Sequence, residues 1–360
     1  IVSNLGTVWE FGGGISVPQQ VQGAQKIISI SGGSKHIAML DYYGQVWTKG
    51  DKPRYNDAYP HVRRVRSLPK IVSVVCGNDF TCCVSEDRML YRFGNFLRFP
   101  YSEREINPVL VENIENIRQV ACGSLIIALT MTGEVWGASR YEEGEPGIRF
   151  KPYHGAWKAY EMQRLKIPKD CHISAVASGG DTAFLLTLSG DVYACGNLLG
   201  ITGGSGYRSK FEKLQNLSNI VQIASQERHT LCVDRSGNLL FCGSKLILGN
   251  GDEVVTNEEL ENTSQLDSPV IRLSSGFGQH SVIQDENGVF YGFGNNEYNQ
   301  LGTGGKGRPY SSFPIPLATQ LQTICPISPE GEEDSLIEEQ IREIEELVSI
   351  SIVRTEICEF

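Results

Sequence analysis

An all-β fold, a seven-bladed β-propeller followed by a short C-terminal α-helix, is predicted by three observations. A seven-residue phrase, Gly–x–apolar–Trp/Tyr–x–x–Gly, recurs seven times with substitutions: GTVWEFG (6–12), GQVWTKG (44–50), RMLYRFG (88–94), GEVWGAS (133–139), GDVYACG (190–196), GNLLFCG (237–243) and GVFYGFG (288–294). Successive copies start 38, 44, 45, 57, 47 and 51 residues apart, a period that belongs to circular or stacked all-β repeats. The third observation is at the ends. IVSNLGTVWEFGGG carries the second half of a unit, and Leu321–Ser328 (LQTICPIS) reads as an isolated first strand. Joining them completes a seventh sheet, so that N- and C-terminal strands close the ring without a long unpaired edge. An open solenoid is the alternative, and it would expose an apolar edge at both ends.

Each unit opens with two short β-branched runs around a turn: IISISGGSKHIAML (27–40), IVSVVCGNDFTCCV (71–84), IRQVACGSLIIALT (117–130), ISAVASGGDTAFLL (173–186), IVQIASQERHTLCV (220–233) and VIRLSSGFGQHSVI (270–283). These runs are too short for helices. The repeated phrase follows after a tight turn at Tyr43-Gly44, Thr132-Gly133, Ser189-Gly190, Ser236-Gly237 and Asn287-Gly288, where Gly supplies the positive φ of a hairpin. At Asp87-Arg88 the Gly is missing, and a looser turn or one of another type is expected. Every unit thus reads as an antiparallel meander of three or four strands, which must pack on its neighbours to bury both faces.

The tail departs from this pattern. Pro329-Glu330-Gly331 marks a boundary, and Ser335-x-x-Glu338 has the form of a capping box. Ile337, Ile341, Ile344 and Val348 fall at helical spacing, with Glu338, Glu339, Glu343, Glu345 and Glu346 filling the other surface. Two domains are expected: a propeller over 1–328 and an acidic helical tail over 329–360. The tail helix packs against the propeller or contacts another helix.

Composition excludes several classes. No apolar run approaches the roughly 18–20 residues that cross a bilayer, so no transmembrane segment is expected, and no secretory signal opens the chain. Position 1 is Ile rather than Met, as in a fragment or a processed form. The ten Cys include no Cys-x-x-Cys or Cys/His cluster for a metal. Cys76, Cys122, Cys195, Cys232 and Cys242 fall in strands, and Cys82-Cys83 point to opposite sheet faces, as structural thiols of a reducing compartment do. A cytoplasmic location is expected, with the nucleus open as well. A net charge of −10 argues against duplex nucleic acid as the main partner. His61-Val62-Arg63-Arg64-Val65-Arg66 is a local exception. It is either a solvated strand or a patch for an acidic protein surface or an anionic lipid headgroup.

No catalytic group is legible. Gly200–Gly206 and Gly302–Gly307 lack the strand–loop–helix context of a phosphate-binding loop, and no Ser/His/Asp or paired-carboxylate set recurs. No cofactor is therefore expected, and the chain is read as not an enzyme. Function should reside in the loops of a rigid scaffold. The longest, Ser139–Lys169, carries Arg149, Tyr153 and Trp157 among other aromatics and arginines, the residue types of interface hot spots. It either binds a partner or covers the outside of one blade.

The pattern from apolar run through Gly-x-x-His-[Ser/Thr] to the repeated phrase resembles the repeat of the regulator of chromosome condensation family. It is best kept at Gly276–Gly294, with His280-Ser281, and at Gln226–Gly243, with His229-Thr230. Asn299-Gln300-Leu301-Gly302 resembles that family's N-x-x-G-Q-L-G extension, while Phe80, Leu125 and Thr182 replace the His. The resemblance covers about residues 1–328. It implies a propeller, one face of which binds the small GTPase Ran in the family's exchange factors and expels nucleotide without bond-making chemistry. The family's acidic and His contact positions match Lys35-His36, Asp79-Phe80, Asp181-Thr182, Arg228-His229 and Gln279-His280 here. Asp79 and Asp181 keep the acid, so the partner-binding candidates are Asp79, Asp181, His229, His280, Arg149, Tyr153, Trp157, Arg63 and Arg64. The carboxylates have a structural alternative as turn caps, and the His residues one as hydrogen-bond partners of a neighbouring turn. The opening FGGGISVPQQ resembles the propellers of NIMA-related kinases. Two functions result: a protein-binding regulator of a small GTPase of the Ran or Rab kind, or a non-catalytic interaction module of a larger signalling protein.

Overall fold

Runs such as Ile71–Cys76 and Leu125–Thr130 alternate their side chains between two faces, and both faces are apolar. A sheet built from them needs a neighbour on each side. The structure, a computed structural model, describes residues 2–316 apart from 4, 13–14, 52–57, 97–104, 140–161, 199–206, 216, 226–228, 245–253, 260–265, 267, 277–279, 298–299 and 302–309.

Strands β1 (Trp9–Gly12) and β2 (Ile15–Gln20) form a two-stranded antiparallel sheet. Six four-stranded sheets follow, each a simple antiparallel meander. The first holds β3 (Ile27–Gly32), β4 (His36–Asp41), β5 (Val46–Asp51) and β6 (Ala58–Arg64). The second holds β7 (Ile71–Cys76), β8 (Phe80–Ser85), β9 (Leu90–Gly94) and β10 (Glu105–Leu110). The third holds β11 (Ile117–Cys122), β12 (Leu125–Thr130), β13 (Val135–Ser139) and the two-residue β14 (Gln163–Arg164). The fourth holds β15 (Ile173–Gly179), β16 (Thr182–Thr187), β17 (Val192–Asn197) and β18 (Tyr207–Lys213). The fifth holds β19 (Ile220–Ser225), β20 (His229–Asp234), β21 (Leu239–Ser244) and β22 (Val254–Glu259). The sixth holds β23 (Val270–Gly276), β24 (His280–Asp285), β25 (Phe290–Asn295) and β26 (Tyr310–Pro316).

The first strands β3, β7, β11, β15, β19 and β23 touch one another in series, so they are innermost and the fourth strands lie at the rim. Hydrophobic clusters fill the space between consecutive sheets. On β12, Ile126 and Ala128 pack toward the second sheet, while Leu125, Ile127 and Leu129 pack toward the fourth. Cys82 and Cys83 likewise enter different clusters, as strand alternation requires. Burial pushes the Cys76 thiol up to about 11 and Cys195 up to about 12, which keeps both protonated and poorly nucleophilic.

The turn before each repeated phrase has a cause that motif reading misses. A side-chain oxygen three residues before the turn Gly accepts the backbone N–H four residues ahead of it. Seven turns do this among the described residues: Ser3, Asp41, Ser85, Thr130, Thr187, Asp234 and Asp285, at 2.8–3.2 Å. Arg88 corrects the expectation of a looser turn. Its φ of +59° lies in the same left-handed region as Gly44 at +77°, and Arg88 N–H still reaches Ser85 O at 2.8 Å. The tertiary frame imposes that conformation on a residue that disfavours it.

β1–β2 reads as part of one more blade. The bridge Val2–Val8 repeats the register of Leu40–Val46 in the first sheet, and Val8 and Val21 pack with Ile27 and Met39. The inner strand assigned to Leu321–Ser328 and the C-terminal helix lie outside the described residues. Six complete blades and this partial one are what the structure describes. Among those residues no helix is long and apolar enough to cross a membrane.

Candidate partner-binding surface

Strand direction decides which loops share a face. In every blade the first–second turn and the third–fourth connection emerge at one end, and the second–third turn at the other. The third strands therefore end beside the turns that carry Asp79 and Asp181, and in sequence the insertion 140–161 follows one such strand end. Ser139, the last described residue before that insertion, pairs with Leu125 at the start of β12.

On this loop face, backbone hydrogen bonds link the turns of consecutive blades. Ser34 N–H donates to Asn78 O at 2.9 Å, Asn78 N–H to Gly123 O at 3.1 Å, and Ser124 N–H to Gly180 O at 2.8 Å. The turns also sit tightly on the third strands, where glycine permits the approach. A Cβ at Gly94 would lie 2.8 Å from Asp79 O, and one at Gly196 only 2.2 Å from Asp181 O. These glycines have φ of +100° and +109°, so both space and backbone exclude a side chain.

Asp79 is half-buried, and its Oδ1 accepts the Ser34 hydroxyl of the preceding blade at 3.1 Å. Asp181 is also half-buried, but its Oδ1 is covered and has no hydrogen-bond partner among the described residues. A covered carboxylate oxygen without a donor is costly, and a donor supplied from outside would relieve it. His229 is fully buried, with Nε2 2.7 Å from the Ser281 hydroxyl of the next blade. Burial, assisted by the charge of His280, pushes its pKa down to about 3. His36 repeats the arrangement, 3.0 Å from Thr81 Oγ1. Its pKa is lowered by burial against the opposing pull of Asp79. His280 is half-buried at the start of β24.

The structure thus brings Asp79, Asp181, His229 and His280 to one end of the strands. Arg63 and Arg64 are exposed on the rim strand β6, and Arg64 pairs with Trp47 near the opposite end. Arg149, Tyr153 and Trp157 lie outside the described residues. Ser34 was not singled out by the motif, because only the neighbouring blade gives its hydroxyl a role.

No family model matches the chain. It is 28% identical over 402 aligned positions to Serine/threonine-protein kinase Nek9 of Mus musculus, covering 95% of this chain and 39% of the kinase. The chain spans about two-fifths of the length of the first curated relatives it matches. It is 23% identical over 327 positions to Regulator of chromosome condensation of Xenopus laevis, covering 80% of this chain and 76% of that protein. The crystal structure of Prp20p from Saccharomyces cerevisiae superposes with a TM-score of 0.73 at 18% identity, over 94% of each chain. That likeness shows the fold. In repeat and in fold, the chain is similar to propellers of the regulator of chromosome condensation type.

Proposed function

We propose that this propeller, of the regulator of chromosome condensation type, binds a protein partner through its loop face. In its most specific form it acts on a small GTPase of the Ran or Rab kind as a nucleotide-exchange factor. The observation that carries the reading is the gathering of Asp79, Asp181 and Ser139, the last described residue before the longest insertion, at one face of the packed blades. The similar Prp20p is described with binding properties to Gsp1p and histones, which supports a protein ligand for this surface. Such a factor makes and breaks no covalent bond. It stabilises the nucleotide-free partner, and by linkage nucleotide then weakens the complex equally.

A second reading is favoured by coverage: the chain aligns with 39% of a protein kinase, as a regulatory module within a larger protein would. Release of a labelled nucleotide from Ran-, Rab- and Rho-type GTPases separates the two. The exchange reading expects accelerated release from one of them. It also expects Asp181→Ala, or removal of residues 149–158, to lower release while the melting temperature moves by no more than about 2 °C. Unaltered release across the whole panel leaves only the module reading.

The reading includes closure of the ring, with Leu321–Ser328 as the inner strand of the blade begun by β1 and β2. Support comes from the Val2–Val8 bridge, which continues the blade register where an inner strand is still required. A cytoplasmic site is proposed with it, in keeping with the thiols of Cys76, Cys82, Cys83, Cys122, Cys171 and Cys195, which form no disulfide among the described residues.

A further inference from the structure

Three rim strands carry a cation at one register position, opposite an aromatic residue of the third strand. Arg64 faces Trp47, Arg164 faces Trp136, and Lys213 faces Tyr193. Two of these charges are paired within their own sheet: Arg164 Nη1 lies 2.9 Å from Glu134 Oε1, and Lys213 Nζ 2.8 Å from Asp191 Oδ1. Glu134 and Asp191 each stand four residues after the turn oxygen, at Thr130 and Thr187. The equivalent position after Asp41 is Gln45, which is neutral. The first sheet therefore keeps the cation and lacks its acid.

Arg64 and Arg66 have no ion pair among the described residues, and His61, Arg63, Arg64 and Arg66 are all exposed. β6 is the outermost strand of its sheet. The exposed residues described on the two adjoining rim strands are Gln19 and Gln20 of β2 and Asn107, Val109 and Leu110 of β10, none of them acidic. A basic strip thus lies exposed on a chain of net charge −10.

The complement is in the same chain. Residues 329–346 contain Glu330, Glu332, Glu333, Asp334, Glu338, Glu339, Glu343, Glu345 and Glu346, against one cation, Arg342. With Leu321–Ser328 as the inner strand proposed above, the acidic run starts two residues beyond the blade of β1 and β2, which packs on the first sheet through Val21 and Val62. The 17 residues from Glu330 to Glu346 span up to about 56 Å at roughly 3.3 Å each, more than the roughly 15 Å from the inner to the rim strand of a four-stranded sheet.

We propose that the acidic run of the chain's own C-terminal segment docks on the rim strand β6, its carboxylates against His61, Arg64 and Arg66. Single exposed pairs contribute only about 0.2–1 kcal/mol. Docking therefore depends on several pairs at once and on the tether, which holds the segment at an effective concentration in roughly the millimolar range. It weakens as salt shortens the reach of each charge.

The test follows amide hydrogen exchange of residues 58–66 in the full chain by mass spectrometry, with the buried strand β12 as an internal control for folding. Combining Glu332→Gln, Glu333→Gln, Glu338→Gln and Glu339→Gln is expected to speed exchange of 58–66 about threefold or more and to leave β12 unchanged. Arg64→Glu with Arg66→Glu does the same. Changing the four tail glutamates to Lys in that reversed background restores protection. Exchange that ignores the tail substitutions overturns the proposal, as does a charge-swapped chain no better protected than the Arg variant. Protection that grows with protein concentration also overturns it, assigning the strip to the tail of a second copy.

Discussion

At the scale of single residues, burial governs what each polar group can do. His229 is neutral in the fold because its pKa is held near 3, whereas its ordinary value is 6.5. Its folded pKa is depressed, so the unfolded chain takes up the proton first as pH falls. The contribution of neutral His229 is complete above about 6.5. It is lost between there and 3, by up to about 1.4 kcal/mol per pH unit. Denaturant midpoints measured from pH 7.5 down to 5 should therefore fall for the native chain and fall less for His229→Gln. Equal slopes would refute the burial argument. Arg88 offers the opposite case, strain without burial of charge. Arg88→Gly removes a left-handed non-glycine residue but also the contact of Nη1 with Ile117 O at 3.3 Å. The expected outcome is stability unchanged or raised by up to about 1 kcal/mol. A loss beyond about 1 kcal/mol would mean that the guanidinium contact outweighs the strain. The missing Gly was visible in the sequence. The turn it adopts was not, because the hydrogen bonds of Ser85 and the flanking strands dictate it.

At the scale of elements, each second–third hairpin is held by a side-chain oxygen, and the number of donors it serves ranks the hairpins. Asp41 accepts from Tyr43 N–H at 2.9 Å, Gln45 N–H at 2.8 Å and Trp47 Nε1–H at 2.8 Å, and it is buried. Thr187 accepts from Asp191 N–H alone among backbone donors, at 2.9 Å. Asp41→Ala should therefore cost about 3 kcal/mol and Thr187→Val about 1 kcal/mol in chemical denaturation; the reverse order would remove the turn oxygen from the account. Glycine at the end of a third strand sets the loop face. Gly196→Ala should destabilise by about 2–4 kcal/mol, because the added methyl meets the Asp181 carbonyl at 2.2 Å on a φ of +109°. A variant as stable as the parent would show that the Asp181 turn can move aside. Both devices could have been read from the spacing alone, as Ser/Thr/Asp three before the turn Gly and Gly at the phrase end. The first escapes notice because three residue types share the role.

At the scale of the molecule, stability comes from sheets stacked in series, each completing its neighbour's core. If Leu321–Ser328 closes the last blade, removing it leaves the sheet of β1 and β2 without its inner strand. A chain ending at residue 320 should then melt several degrees lower, a shift expected from a loss of about 2 kcal/mol or more. An unshifted melting curve would place closure elsewhere. The repeat period and the two-residue alternation were enough to establish the strands, the blades and the burial of both sheet faces, since these follow from local periodicity and the need to hide apolar surface. They also placed Cys82 and Cys83 on opposite sides. Contacts between blades belong to the tertiary structure. The reach of Ser34 to Asp79, the pairing of His229 with Ser281, and the unmatched charge of Arg64 opposite Trp47 join residues that local patterning never relates. Such pairs sit 45 and 52 positions apart in the first two cases. Only the packing of successive blades sets their distance, and distance is what turns a side chain into a bond or a binding site.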